Sequence, residues 1–328
     1  MMKIGLQITK NNLKYRKLLS TLKDNLSIKR KIEFIHIKDD TDLSETIDEI
    51  NILVCYNIKK EIFIKSTNML QWIHCGTAGV EHIMYPEIIK SKVIITNARG
   101  IHATPVAEYV LGVMLYLAKQ FDSCQDFKNS KNWNQWSIVK NIIQLKGKTI
   151  GIIGFGRLGK EIARLAKSFG MRVHAIRRLQ KKIETKIIVD RLMPMKYKKE
   201  IFCNSDFVVV ACPLTPLTRD MIGTSEFKMM SNESFFINIS RGGIVDESAL
   251  LVALETNQIS GAALDVFNQQ PLNLKHKLFT LKNVFLSPHI SGNFPKYQNH
   301  MIVQFAHNLS RYVEGKGLRN RVCKKRLY

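Results

Sequence analysis

Acidic residues are scarce in this 328-residue chain: 27 Asp and Glu stand against 50 Lys and Arg, a formal net charge of +23. The surplus is densest in the tail Arg319-Asn320-Arg321-Val322-Cys323-Lys324-Lys325-Arg326. A basic balance of this size raises the question of a nucleic-acid surface. No aromatic-interleaved basic motif and no DNA-binding helix signature accompanies it, so a nucleic-acid partner is not expected. The charge reads as solvated surface with a mild preference for anionic substrates. The six cysteines, at 55, 75, 124, 203, 212 and 323, form no CxxC pair and no Cys/His spacing of a zinc site, so neither a disulfide framework nor a metal is expected. A reducing compartment, the cytoplasm, is the expected location. No apolar run approaches the ~20 residues that cross a bilayer, which speaks against a membrane partner. The amino terminus lacks the long apolar stretch and small-residue cleavage site of a secretory signal. Internal repeats and low-complexity linkers are missing as well.

What is present is an ordinary globular composition, 45% hydrophobic and 23% charged. At ~150 residues per domain the length suggests about two domains. The first hundred residues alternate strand-like runs (Ile4–Ile8, Ile32–Ile37, Ile52–Tyr56, Leu70–Cys75, Val93–Asn97) with helical stretches such as Asn12–Lys23 and Ser44–Glu49. Alternation of this kind argues for a parallel, doubly wound sheet. A long helix is expected from about Thr104 to Gln120, with Thr104 as its cap and Pro105 in its first turn. A second alternation follows, with strands Thr149–Ile153, Arg172–Ile176, Phe207–Ala211, Phe235–Ile239, Gly261–Leu264 and Val284–Leu286, and helices Leu158–Phe169, Glu226–Met230 and Glu247–Glu255. A last helix is expected at Lys296–Glu314. The fold class is therefore α/β, with two Rossmann-like, doubly wound parallel-sheet domains.

Gly154-Phe155-Gly156-Arg157-Leu158-Gly159 matches GxGxxG, and it follows a strand and opens a helix, the context a dinucleotide site requires. Gly154 would make the tight turn, Gly156 would admit a pyrophosphate, and Gly159 would let helix and strand pack closely. The helix start would face the phosphates with its N–H groups and positive dipole end. At the end of the next strand an acid would ordinarily hold the ribose 2′-hydroxyl. Arg177 and Arg178 stand there instead, 23 residues after Gly154, so NADP is expected in preference to NAD.

Three later segments put polar residues where apolar strands end. Ile239-Ser240-Arg241-Gly242-Gly243 offers an Arg whose planar fork suits a carboxylate. Gly261-Ala262-Ala263-Leu264 ends in Asp265. Leu286-Ser287-Pro288-His289-Ile290-Ser291-Gly292 offers a His, the side chain best matched to proton transfer near neutral pH.

With these residues in view, the chain resembles the D-isomer-specific 2-hydroxyacid dehydrogenases, a family that includes phosphoglycerate dehydrogenases and glyoxylate/hydroxypyruvate reductases. The likeness extends through Trp72-Ile73-His74-Cys75-Gly76-Thr77-Ala78-Gly79-Val80-Glu81, Asn97-Ala98-Arg99-Gly100-Ile101-His102-Ala103-Thr104-Pro105-Val106-Ala107-Glu108-Tyr109 and Cys212-Pro213-Leu214-Thr215-Pro216-Leu217-Thr218-Arg219. The resemblance implies hydride transfer between NADP or NAD and a small 2-oxo or 2-hydroxy acid. It implies that Gly79 and Val80 give backbone N–H groups to the substrate carboxylate, that Arg241 binds that carboxylate, and that His289 is the acid/base. Arg157 and Leu158 would lie over the pyrophosphate, Asp265 by the nicotinamide carboxamide, and Pro213, Thr218, Ile239, Ser240 and Gly292 along the cofactor. It further implies a discontinuous substrate domain (1–99 and 290–328), an inserted NAD(P)-binding domain (100–289) and a homodimer. One departure stands out: Gln270 occupies the position of the Glu that hydrogen-bonds the catalytic His in the family pattern. That substitution and the net charge keep an alternative open, a dinucleotide-sensing, corepressor-like binding protein with little turnover.

Overall fold

The computed structural model describes residues 1–28, 31–66 and 69–326. The chain divides into one unit formed by Met1–Ile101 with Phe294–Tyr328 and a second formed by His102–Asn293. Both are α/β, and each is built on its own sheet.

In the first unit, strands β1 (Met2–Gln7), β2 (Ile32–His36), β3 (Ile52–Cys55), β4 (Trp72–Cys75) and β5 (Ile94–Asn97) form an all-parallel sheet in the order β2-β1-β3-β4-β5. Ile52-Leu53-Val54-Cys55 and Trp72-Ile73-His74-Cys75 are buried throughout, as central parallel strands covered on both faces must be. One face packs Leu43, Ile47, Leu53, Ile62 and Ile73; the other packs Ile4, Leu6, Leu18, Trp72 and Phe305. The helix Tyr297–Val313 belongs to this unit and supplies Met301, Ile302 and Phe305 to its core.

The second unit carries β6 (Thr149–Ile153), β7 (Arg172–Arg177), β8 (Glu184–Lys186), β9 (Val189–Pro194), β10 (Phe207–Val210), β11 (Phe235–Asn238), β12 (Gly261–Leu264) and β13 (Val284–Leu286). Their order is β13-β12-β11-β10-β6-β7-β9-β8, parallel except for the β8–β9 pair. The chain leaves β6 toward β7 on one side and later resumes at β10 on the other. The crevice between β6 and β10 is thus the switch point where open α/β sheets take their ligands. The helices Ala103–Ala118 and Arg157–Ser168 lie on one face, their Val106, Val110, Ile162 and Ala166 packed on Ile150, Ile152 and Val209.

Several local expectations need correction. The long helix runs Ala103–Ala118, with His102 at its N-cap and no side chain capping it. Thr104 lies inside the first turn beside Pro105 and caps nothing. The helix stops short of Gln120 because Gln120 takes left-handed backbone (φ 55°) and starts a further helix, Phe121–Ser130. The segment expected as a helix over Ser44–Glu49 is a helix at Asp40–Thr46, capped by Asp39, followed by a 3₁₀ turn at Ile47–Glu49. The helices Lys60–Lys65, Gln135–Val139 and Lys198–Cys203 and the strands β8 and β9 were not anticipated. In β9, Val189-Asp190-Arg191 breaks the apolar pattern. Asp190 tolerates its place because its carboxylate accepts from Lys167 Nζ at 2.8 Å and from the Val173 N–H at 2.7 Å.

Candidate active site

Strand register builds the site. Ile176, Ile153, Val210, Asn238, Leu264 and Leu286 are successive partners across β7, β6, β10, β11, β12 and β13. They form one row at the carboxyl edge of the second unit's sheet. The residues just past that row are Arg177, Gly154, Ala211-Cys212-Pro213, Ile239-Ser240-Arg241, Asp265 and Ser287-Pro288-His289. Segments far apart in sequence therefore emerge side by side.

The glycine turn is tied in place by the Gly154 N–H, which donates to the Ile176 carbonyl at 3.0 Å and sets the turn next to Arg177. Gly154 has φ +108°, and a Cβ there would lie 2.7 Å from the Cys212 nitrogen. A Cβ at Gly159 would lie 2.1 Å from the Gly154 oxygen, whereas one at Gly156 would meet nothing within 4 Å. The cradle is thus closed against its own strands and open where a pyrophosphate approaches. Arg157 and Leu158 form the first turn of a helix that receives no side-chain cap, the state suited to anion binding. On the next loop, Thr218 Oγ1 donates to the Pro213 carbonyl at 2.7 Å and accepts from the Thr215 N–H at 2.8 Å. Ser240 Oγ donates to the Cys212 carbonyl and joins that loop to the end of β11.

Arg241 is half-buried at the end of β11. Asn238 brackets it, accepting from the Ser240 N–H (3.1 Å) and donating to the Arg241 carbonyl (3.1 Å). Arg241 Nη1 donates to the Ser240 carbonyl at 2.8 Å, which fixes the guanidinium plane. The following residue must be glycine: a Cβ at Gly242 would lie 2.1 Å from the Phe267 carbonyl carbon. That close approach welds the Arg241 turn to the Asp265–Gln270 loop.

His289 stands at φ +55°, an uncommon conformation for a side chain of this size. Residues on both sides hold it there. Asp265, fully buried, accepts from Ser287 Oγ at 2.5 Å, the Ile290 N–H at 2.8 Å and the Ser291 N–H at 2.9 Å. His289 Nδ1 lies 2.9 Å from Gln270 Oε1, and Gln270 Nε2 faces the Phe267 carbonyl at 3.4 Å. An amide oxygen can only accept, so His289 carries its Nδ1 proton toward Gln270. The ring itself is exposed.

Three residues of this neighbourhood were missed by sequence reasoning. His102 donates from Nδ1 to the Gly292 carbonyl at 2.9 Å. Its pKa is lowered, chiefly by burial, with the charges of Arg241 and His289 acting in the same direction against the Gly292 bond. Tyr109 and Ser287 are hydrogen-bonded at 2.5 Å. His102, Tyr109 and Ser287 all lie inside segments that carry the family likeness, but nothing in their spacing assigns them to the site or pairs Tyr109 with Ser287.

Gly79 and Val80 belong to the first unit. Gln7, Cys55, Cys75 and Asn97 form its own end row, and the loop Gly76–Val80 leaves from it. Asn97 Nδ2 donates to the Ala78 carbonyl and Thr77 Oγ1 to the Gly79 carbonyl, both at 2.6 Å.

Residues 111–291 match the family model of the D-isomer specific 2-hydroxyacid dehydrogenase NAD binding domain. A glyoxylate reductase of Thermococcus gammatolerans is 32% identical over 274 residues, covering 82% of this chain and 80% of that protein. The chain belongs to the D-isomer specific 2-hydroxyacid dehydrogenase family. A glyoxylate reductase/hydroxypyruvate reductase of Mus musculus is 31% identical to this dehydrogenase over 283 residues, covering 84% of this chain and 85% of its own. The structure of a family member from Aeromonas salmonicida superposes with a TM-score of 0.85 at 25% identity, covering 98% of this chain and 99% of that one. The dehydrogenase is an NAD(P)-dependent oxidoreductase of 2-hydroxy acids, and its second unit carries the family's nicotinamide-dinucleotide domain. The open Gly156 position, the uncapped helix start and the closed turn at Gly154 and Gly159 fit that cofactor.

Proposed function

We propose that this dehydrogenase reduces a small 2-oxo acid, glyoxylate or hydroxypyruvate, with NADPH preferred over NADH. The observation that carries the reading is the contact of His289 Nδ1 with Gln270 Oε1, on the same strand-end row as Arg241 and the glycine turn. The bound nicotinamide supplies the hydride. Arg241 takes the substrate carboxylate and draws electron density from the keto oxygen. His289, protonated at Nε2, gives its proton to the oxygen as the alcohol forms. Gln270 orients the ring in either protonation state but adds no charge. Glyoxylate reductases are prominent among the relatives, and the corepressor-like alternative has no support there. We also infer a homodimer, for which Trp133 (77% exposed) and Trp136 (72% exposed) offer an apolar face, in the cytoplasm. Among the described residues no helix is long and apolar enough to cross a membrane. The direct test is a spectrophotometric screen of NADPH and NADH against small 2-oxo acids; absence of turnover with all of them overturns the reading.

Cofactor preference is expected to hang on Arg177, which is exposed at the end of β7 next to the Gly154 turn. A guanidinium favours a 2′-phosphate, and an acid repels it while accepting from a 2′-hydroxyl. Arg177→Asp should lower kcat/KM for NADPH at least about tenfold, the equivalent of roughly 1.4 kcal/mol, and favour NADH relative to wild type. A wild type that prefers NADH tenfold would sink the NADPH assignment.

Gln270→Glu should move the pH profile. A carboxylate in place of the amide, 2.9 Å from Nδ1, favours the imidazolium and raises the His289 pKa relative to wild type. Reduction uses the protonated form, so activity is lost as pH rises through that pKa. The alkaline limb of kcat/KM should therefore shift upward, by about one unit for about 1.4 kcal/mol of added interaction. Coincident limbs for the two proteins would rule out this coupling.

A further inference from the structure

We infer that Tyr109 is a positioning residue for the reduction, holding the His289 loop through Ser287 and Asp265. The inference rests on the reading of His289 as the acid/base. The Tyr109 hydroxyl lies 2.5 Å from Ser287 Oγ, and Ser287 Oγ lies 2.5 Å from Asp265 Oδ1. Proton directions follow from the groups present. The Ile290 and Ser291 N–H groups can only donate, and they already point at the two Asp265 oxygens. The carboxylate is thus the acceptor at the end of the network. Ser287 donates its proton to Asp265, and its oxygen accepts the Tyr109 O–H. Tyr109 keeps that proton at any working pH: burial pushes its pKa up to about 12, opposed by the Ser287 bond and assisted by the Asp265 charge.

The arrangement bears directly on His289. Ser287 lies two residues before it, and the His289 N–H donates to the Ser287 carbonyl at 3.1 Å. Ile290 and Ser291 follow it. The residues flanking the left-handed position on both sides thus converge on one carboxylate, and Tyr109 is that network's link to a different element. Tyr109 stands on the helix Ala103–Ala118, whose Val106, Ala107 and Val110 are buried in the core. A rigid helix therefore sets where the acid/base loop sits. A Phe at 109 would keep the ring in its half-buried place and delete one hydrogen bond.

The experiment compares Tyr109→Phe, Ser287→Ala, their double variant and His289→Ala in the full-length protein, with NADPH and glyoxylate. Tyr109→Phe is expected to lower kcat about fivefold, the scale of one lost hydrogen bond, with KM for glyoxylate within about twofold of wild type. Because Tyr109 acts through Ser287, the double variant should be no worse than Ser287→Ala alone. Losses that multiply, or a Tyr109→Phe kcat indistinguishable from wild type while His289→Ala is inactive, overturn this inference and leave the acid/base reading standing. Near-normal turnover by His289→Ala overturns both. Should Ser287→Ala fail to fold, the solvent deuterium isotope effect on kcat of Tyr109→Phe decides. It should exceed that of wild type, because proton transfer from a less firmly held imidazole becomes more limiting; an unchanged effect refutes the role.

Discussion

Replacing His289 by Ala is expected to lower kcat for 2-oxo acid reduction by about 10²–10⁴-fold, the usual contribution of a positioned general acid, while NADPH binding stays within about twofold. The residue is exposed and its side chain hydrogen-bonds Gln270, so the loss should be chemical. Its backbone is the complication, because φ +55° suits Ala no better than His. His289→Asn answers that objection, since Asn visits the left-handed region more readily than other side chains but has no proton to give near neutral pH. Both variants should unfold at nearly the wild-type temperature, bind NADPH by fluorescence titration and fail to turn over. Residual kcat within threefold of wild type in either protein would remove His289 from the acid/base role.

The part of the site that stands on strand ends was legible in the sequence. Phe207-Val208-Val209-Val210 can be little else than a buried parallel strand, and the apolar runs before Gly154, Arg241, Asp265 and His289 each terminate at a polar or glycine residue. A parallel sheet in register then collects those terminations into one row. The Gln270–His289 bond follows from a family pattern, because the two lie nineteen positions apart with β13 between them and no local periodicity links them. What stayed hidden is what depends on tertiary partners. β9 carries Asp190 in a strand because Lys167 and the Val173 N–H reach it. The long helix begins at Ala103 with His102, not Thr104, at its N-cap and no side chain capping it. The Tyr109–Ser287 bond joins residues 178 apart, a separation at which sequence pattern carries no signal.

Arg241→Ala is expected to reduce kcat/KM for the 2-oxo acid by about 10³-fold, combining a lost charge-assisted carboxylate contact with a lost donor to the developing alkoxide. Arg241→Lys separates the two contributions. An ammonium retains the positive charge but not the planar fork. The native plane is held by the bond from Nη1 to the Ser240 carbonyl and by Asn238 on either side of the turn, a support shaped for a guanidinium. The Lys variant should therefore recover only part of the loss. Its KM should remain well above the wild-type value, because two parallel bonds to a carboxylate become one point contact. Neither substitution touches the glycine turn or the Arg177 position, so NADPH affinity should be unchanged in both. The measurements are kcat and KM for glyoxylate with NADPH at fixed ionic strength, together with NADPH dissociation constants. A Lys variant equal to wild type would mean that charge alone suffices and that the fork geometry is idle. An Ala variant within tenfold of wild type would mean that Arg241 does not hold the substrate carboxylate.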